Sequence, residues 1–404
     1  MGRVGYKETK VGWIPEDWEN LKAHKIAKLV AGGTPSTMVT KYWGGEILWM
    51  RSGDLNIKRI YDVEGRITDE GMKNSSAILV PKHSVLIGLA GQGKTRGTVA
   101  INEVRLTTNQ SVAAFIPNKE HLNYLYLYYE LESRYNEIRK MSTGDGGRGG
   151  LNLNILKNLK IILPPLSEQY KIGEILNIWD QAINLMSRQI EAKQRLKKAL
   201  MQQLLTGRKR FPEFKDDWKV IKLGKLFTER NENNSSLDLL SITAETGVVP
   251  RDEVGRKDIS NIDKSKYKVI KPGDIGYNTM RMWQGRSAVS RLIGIVSPAY
   301  TIVTPIKNQN VDFYGYLFKL SRIIDLFFRY SQGLVSDTLS LKFPHFSKIN
   351  VCIPDCKEQE YIANILLDLD KEVAILTKKL ALLKRQKQGL MQKLLTGEVR
   401  VNVN

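Results

Sequence analysis

Two stretches of this chain nearly copy one another: Pro164-Pro165-Leu166-Ser167-Glu168-Gln169 through Leu204-Leu205-Thr206-Gly207, and Pro354-Asp355-Cys356-Lys357-Glu358-Gln359 through Leu394-Leu395-Thr396-Gly397. The Glu-Gln and Thr-Gly landmarks both recur 190 positions on, so no insertion separates them. Between the landmarks the apolar positions coincide: Ile172, Leu176, Trp179, Ile183, Met186, Ile190, Leu200 and Leu204 match Ile362, Leu366, Leu369, Val373, Leu376, Leu380, Leu390 and Leu394. The spacing alternates four and three, which is a heptad seam rather than the broad face of a globular helix. A helix of about 40 residues extends about 60 Å and cannot fold back on a small domain without exposing its seam, so the simplest partner for each copy is the other. Lys193 and Lys197 interrupt the first seam and Lys387 the second, as solvated or register-setting residues do. Gly207 and Gly397 stand where a left-handed residue stops a helix.

The 404 residues leave room for two or three domains. No apolar run approaches the ~18 residues of a membrane span, and Met1 to Lys7 lacks a signal-peptide core, so the expected location is cytoplasmic, with no membrane partner. Cys352 and Cys356 are the only cysteines, too few for a disulfide framework or a zinc site. Lys and Arg number 62 against 42 Asp and Glu, a net charge of +20, the footprint of a protein that meets a polyanion.

The long helices divide the chain into 1–163, 164–207, 208–353 and 354–404. The two globular segments begin alike, at Glu16-Asp17-Trp18 and Asp216-Asp217-Trp218 before a short helical stretch, and end alike, at Ile161-Ile162-Leu163-Pro164 and Val351-Cys352-Ile353-Pro354. Each mixes short runs of β-branched and aromatic residues, such as Ser84-Val85-Leu86-Ile87 and Tyr300-Thr301-Ile302-Val303, with a helix near its end, over 122–140 and 313–330. Both read as mixed α/β (α+β) domains. Their middles differ: Trp49-Met50-Arg51-Ser52-Gly53 has no counterpart in the second, nor Tyr277-Asn278-Thr279-Met280-Arg281 in the first. A repeated scaffold with divergent variable parts suggests two readers of two different things.

Some motifs point to catalysis and do not hold. Gly88-Leu89-Ala90-Gly91-Gln92-Gly93-Lys94-Thr95 satisfies the phosphate-loop pattern, but that loop needs a helix starting at the lysine. Arg96-Gly97-Thr98-Val99-Ala100-Ile101 reads as strand, so a basic hairpin tip is expected. Ser297-Pro298-Ala299-Tyr300 distantly echoes the base-gripping motif of amino-methyltransferases, without its second proline and without a glycine-rich loop for S-adenosylmethionine. Asp355, Asp368 and Asp370 lie at or in the second long helix, where charges usually form a solvated face. With four histidines, a His-based nucleophile or metal site has little support.

Pro165-Leu166-Ser167-Glu168-Gln169 and Lys357-Glu358-Gln359, the two Leu-Leu-Thr-Gly ends, Gly32-Gly33-Thr34-Pro35 and Gly294-Ile295-Val296-Ser297-Pro298-Ala299-Tyr300 occur in an order that resembles the specificity (HsdS) subunits of type I restriction-modification systems, across essentially the whole chain. The second copy departs where Asp355-Cys356 replaces Pro165-Leu166. The resemblance implies two target-recognition domains on two antiparallel coiled-coil spacer helices, with an internal pseudo-twofold repeat, reading a bipartite asymmetric site on double-stranded DNA. It also implies that methyltransferase (M) subunits, two per chain, dock on the helices, that restriction (R) subunits join the full complex, and that this chain is not an enzyme. S-adenosylmethionine, ATP and Mg are then expected on partner subunits, with no cofactor or metal held here. The alternatives are a standalone nucleotide-dependent DNA enzyme using the loop from Gly88 to Thr95, or a DNA-binding scaffold outside restriction.

Direct readout needs Arg, Lys, Asn or Gln at base edges. The loop candidates are Arg51, Lys94, Arg96, Asn109, Gln110 and Arg148 in the first domain, and Arg281, Gln284, Arg286 and Lys342 in the second. Apolar residues beyond the seam, Leu205, Leu382 and Leu395, are the candidates for partner docking.

Overall fold

A computed structural model describes residues 4–9, 12–91, 93–142, 150–243, 246–255, 263–335 and 338–402. Two compact units emerge, one of 1–187 with 379–404 and one of 188–378. The division does not follow the chain order, because each unit holds part of both long helices.

In the first unit, strands β1 (Ala27–Ala31), β2 (Arg59–Ile60), β3 (Ser84–Gly88), β4 (Val99–Asn102) and β5 (Val112–Pro117) form a sheet in the order β1-β5-β3-β4-β2. All pairings are antiparallel except β4 with β2. Val85, Ile87, Val99, Ile101, Ala113 and Phe115 turn one face of this sheet onto helix α1 (Tyr124–Ser133), while Leu86, Ala100, Val112 and Ala114 face a second apolar cluster with Met50, Leu55 and Ile60. With both faces covered, β3 and β4 are wholly buried, which accounts for their apolar runs Val85-Leu86-Ile87 and Val99-Ala100-Ile101. The helix expected over 122–140 is broken after Ser133, and Arg134 at the break donates to the Lys160 carbonyl. The short helical stretch expected after Trp18 is strand Glu19–Lys22 followed by a single 3-10 turn.

In the second unit, β6 (Phe227–Glu229), β7 (Ile275–Asn278), β8 (Ser287–Val289) and β9 (Tyr300–Pro305) are ordered β6-β9-β7-β8, repeating β1-β5-β3-β4. The helical stretch expected over 313–330 is two helices, α3 (Val311–Leu317) and α4 (Ser321–Tyr330). A closing strand repeats too: Lys160–Leu163 pairs antiparallel with Glu19–Lys22, and Asn350–Ile353 with Lys219–Lys222.

The long helices are α2 (Leu166–Leu204) and α5 (Cys356–Leu395), each uninterrupted. Every seam position, including those of Lys193, Lys197 and Lys387, is buried or half-buried, and over 188–199 and 371–389 the positions between them are exposed. Within the first unit Ile172 and Leu176 share a core with Leu394 and Leu395; within the second, Leu204 and Leu205 share one with Ile362 and Leu366. Ion pairs give the direction: Lys193 meets Glu372 at 2.6 Å and Lys197 meets Asp370 at 2.5 Å, so one helix ascends as the other descends. Gly207 and Gly397, at φ 68° and 70°, are the left-handed stops the sequence predicts.

The seam lysines repeat one another. Lys387 meets Asp180 at 2.7 Å and lies 4.9 Å from the centroid of the Tyr129 ring, whose hydroxyl donates to Asp180. Lys197 lies 4.9 Å from the Tyr316 ring, whose hydroxyl donates to Asp370. Asp370 is thus a seam counter-ion, and Asp368 pairs with Lys371 on the exposed face.

The Glu-Gln landmarks tie each helix start to its domain. Gln169 accepts from the Asn123 backbone N–H and donates to the His121 and Pro164 carbonyls; Gln359 accepts from Asn310 N–H and donates to the Pro354 carbonyl. Glu358 takes a bidentate bond from Arg210 and a bond from the Trp218 indole. Glu168 accepts from Arg400, which also grips Asp17 and lies over the Trp18 ring at 5.8 Å. That guanidinium holds the Asp17 carboxyl below its ordinary value. Glu168 and Glu358 are buried, and a buried carboxylate needs such a partner.

Candidate nucleic-acid interface

In the first unit three polypeptide turns converge at one end of the sheet. Gly33 N–H donates to the Thr108 carbonyl, Asn109 N–H to the Met50 carbonyl, and the Trp49 indole to the Gly33 carbonyl. A Cβ on Gly32 would lie 2.1 Å from the Thr108 carbonyl oxygen, so the glycine there is required by close approach. Arg51, Asn109 and Gln110 are thereby neighbours. The loop after β3 joins them through Leu89 N–H to the Ser111 carbonyl.

This loop is the hairpin between antiparallel β3 and β4, and no helix follows Lys94. The phosphate-loop pattern therefore lacks the helix start its chemistry requires, as its sequence context predicts.

The second unit repeats the arrangement through different residues. Leu89 N–H bonds Ser111 O in one unit, and Thr279 N–H bonds Ala299 O in the other. Leu151 N–H bonds Leu89 O, and Leu341 N–H bonds Thr279 O. Gly88 N–H bonds Thr98 O, and Asn278 N–H bonds Arg286 O. The turn carrying Arg281, Gln284 and Arg286 is thus the counterpart of the turn carrying Lys94 and Arg96. The Leu341 bond brings Lys342 beside it.

The candidates differ in availability. Arg51, Lys94, Gln110, Gln284, Arg286 and Lys342 are exposed. Arg51 packs over the Trp49 ring at 5.9 Å and Gln110 accepts from the Thr34 hydroxyl at 2.5 Å. Arg96, Asn109 and Arg281 are half-buried. Arg96 donates to the Ser142 hydroxyl and Asn109 accepts from Ser111 N–H, so both fasten their own turns. Arg148 lies outside the described residues.

Two docking candidates need correction. Leu205 is 0% exposed and Leu395 4%; each belongs to a domain core, because the last turn of each long helix runs under a recognition domain. Neither offers a free surface. Leu382 is 53% exposed. The sequence reading also missed Arg210, Arg400 and the carboxylate partners of the seam lysines; the 190-residue recurrence of Arg210 at Arg400 was the available signal.

Among the described residues no group of three or more His, Cys, Asp or Glu could hold a metal ion, and no helix is long and apolar enough to cross a membrane.

The sequence model of the type I restriction modification DNA specificity domain matches this chain twice, over residues 15–194 and 215–385. The chain belongs to that family. It is similar to the type I restriction enzyme MjaVIII specificity subunit of Methanocaldococcus jannaschii, 26% identical over 99% of this chain and 97% of that one. To the MjaIX specificity subunit of the same organism it is 30% identical, over 57% of this chain and 56% of that one. A crystal structure of the type I S subunit from M. genitalium shares the fold, with a TM-score of 0.59 at 16% identity, covering 93% of this chain and 96% of that one. The HsdS subunit of Thermoanaerobacter tengcongensis follows at 0.50 and 15%, over 96% and 98%. The chain is accordingly a non-catalytic specificity subunit, the part of a type I system that recognises DNA sequence.

Proposed function

We propose that this subunit reads a bipartite, asymmetric site on double-stranded DNA, one half with each unit. The observation that carries this reading is the repeated backbone frame bearing unlike turns, Leu89 to Thr98 in one unit and Thr279 to Arg286 in the other. Equivalent scaffolds present both turns, and their residues differ, so the half-sites differ. The exposed Gln284, Arg286 and Lys342 are the leading base or phosphate contacts of the second half. In single-base variants of the site, losing a base-edge contact costs roughly 1–3 kcal/mol at one position, whereas losing a phosphate contact weakens all sequences alike. Gln284→Ala and Arg286→Ala, measured in the assembled complex, are expected to relax one base position each, within one half only. Uniform weakening would make them positioning contacts.

Two M subunits dock on the long helices, and R subunits complete the complex; these partners hold S-adenosylmethionine, ATP and Mg. Two copies of one partner need a surface that occurs twice. Such a surface is available on the exposed side of both helices, where Leu185 of the first unit recurs as Ile375 of the second. Leu185 is 70% and Ile375 53% exposed, large apolar groups that neither seam nor core uses. Leu185→Asp with Ile375→Asp is expected to abolish co-purification of the methyltransferase subunit while the chain stays folded. Unchanged assembly would place docking elsewhere.

A further inference from the structure

In the second unit, the end of α2 and the start of α4 line an open cleft of about 320 Å³. Lys198, Arg208, Lys319 and Arg322 line it, and no carboxylate does. The Lys319 amine donates to the carbonyls of Gly285 at 2.7 Å and Ser287 at 2.5 Å, and Arg322 donates to the Leu205 carbonyl at 2.9 Å. Their protein partners are neutral. Burial lowers Lys319 to about 8, and burial, with Arg208 beside it, lowers Arg322. Helix α4 opens on this cleft with no side-chain cap at Leu320, leaving the positive end of its dipole unopposed.

The first unit supplies an internal comparison. A cleft of about 560 Å³ there is lined by Gln388, Met391 and Thr396, the 190-residue counterparts of Lys198, Met201 and Thr206. Its buried cation, Arg134, is neutralised from within by Glu130 and Glu137. The helix caps Asn123 and Asn310 and the seam tyrosines Tyr129 and Tyr316 are both 187 positions apart. At that offset Glu130, Glu132, Arg134, Tyr135 and Glu137 become Leu317, Lys319, Ser321, Arg322 and Ile324. One unit neutralises its cation from within; in the other that arginine is replaced by Ser321, and Lys198, Lys319 and Arg322 line the cleft without a carboxylate.

We propose that the cleft of the second unit binds a phosphate-class anion. Four cations and the start of a ten-residue helix line one cleft, which has room for a phosphate group, and no aromatic side chain lines it to stack a base. Because Lys319 holds the Gly285 and Ser287 carbonyls, the bound anion is coupled to the turn carrying Gln284 and Arg286. The phosphate comes either from the DNA backbone or from solution, and the chemistry is the same.

The test uses the full chain, alone and in its complex. Inorganic phosphate, compared with chloride at equal ionic strength, is expected to raise the unfolding temperature saturably. Lys198→Gln with Arg208→Gln, both exposed positions, is expected to weaken phosphate binding about tenfold or more. If the anion is a DNA phosphate, the same variant also lowers the salt slope of DNA binding by about 0.9 per lost contact; an unchanged slope with lost phosphate binding identifies a free anion. Equal effects of phosphate and chloride, or a variant that responds as the parent does, would overturn the proposal. The DNA arm rests on the recognition reading above. A complex that fails to bind DNA at all would sink that reading, while the phosphate titration still decides this one.

Discussion

Replacing Lys387 by Met is expected to destabilise the first unit by about 2–3 kcal/mol, between the cost of breaking a buried ion pair and that of a surface pair. Lys387 is 13% exposed, and its loss leaves Asp180 and Glu132, 28% and 22% exposed, without their shared cation. The equivalent Lys197→Met is expected to cost the second unit only about 1 kcal/mol, because Asp370 is 45% exposed and can turn to water. Urea unfolding of the full chain, followed by hydrogen exchange in each unit, separates the two. The acid limb adds a check. Burial raises Glu132, but Lys387 and Lys58 outweigh it and hold the carboxyl below its ordinary 4.5. Its stabilisation is therefore fully present above about 4.5 and lost as pH falls through the lowered value. Lys387→Met is expected to flatten that loss. Equal destabilisation by both substitutions would show that burial does not decide the seam energetics.

The second large effect concerns spacing. A paired heptad seam fixes distance and rotation together, so insertion of four residues after Ile190 and four after Leu380 lengthens each helix by about 6 Å and keeps the seam nearly in phase. With DNA rising about 3.4 Å per base pair, the preferred gap between half-sites is expected to grow by one or two base pairs. Both half-site sequences are expected to stay the same. Footprints and methylation of spacer-length libraries measure this. A folded, assembled variant that keeps the original spacing would show that the helices do not set it.

The seam was legible because a 3.5-residue period sorts side chains by face whatever the tertiary context. Lys197 and Lys387 were visible as interruptions, but Asp370 and Asp180 lie 173 and 207 residues away and no local pattern links them. Leu205 and Leu395 were misread for a related reason. They sit one residue past the seam, and what buries them is domain core contributed by distant elements. The false phosphate loop was settled locally, since glycine and β-branched residues follow its lysine and favour a strand. Arg96 resembled a free base reader until Ser142, 46 residues on, took its guanidinium. The equivalence of the Leu89 and Thr279 turns was hidden because it resides in backbone hydrogen bonds, which unlike side chains can share.

Methylation-aware sequencing of DNA from cells carrying the complete system reads out the recognised site itself. A two-part motif with unlike halves is expected, and exchanging only Thr279 to Arg286 for an unrelated turn is expected to change one half and leave the other half and the gap intact. A single continuous motif, or a turn exchange that alters both halves, would contradict the assignment of one half to each unit.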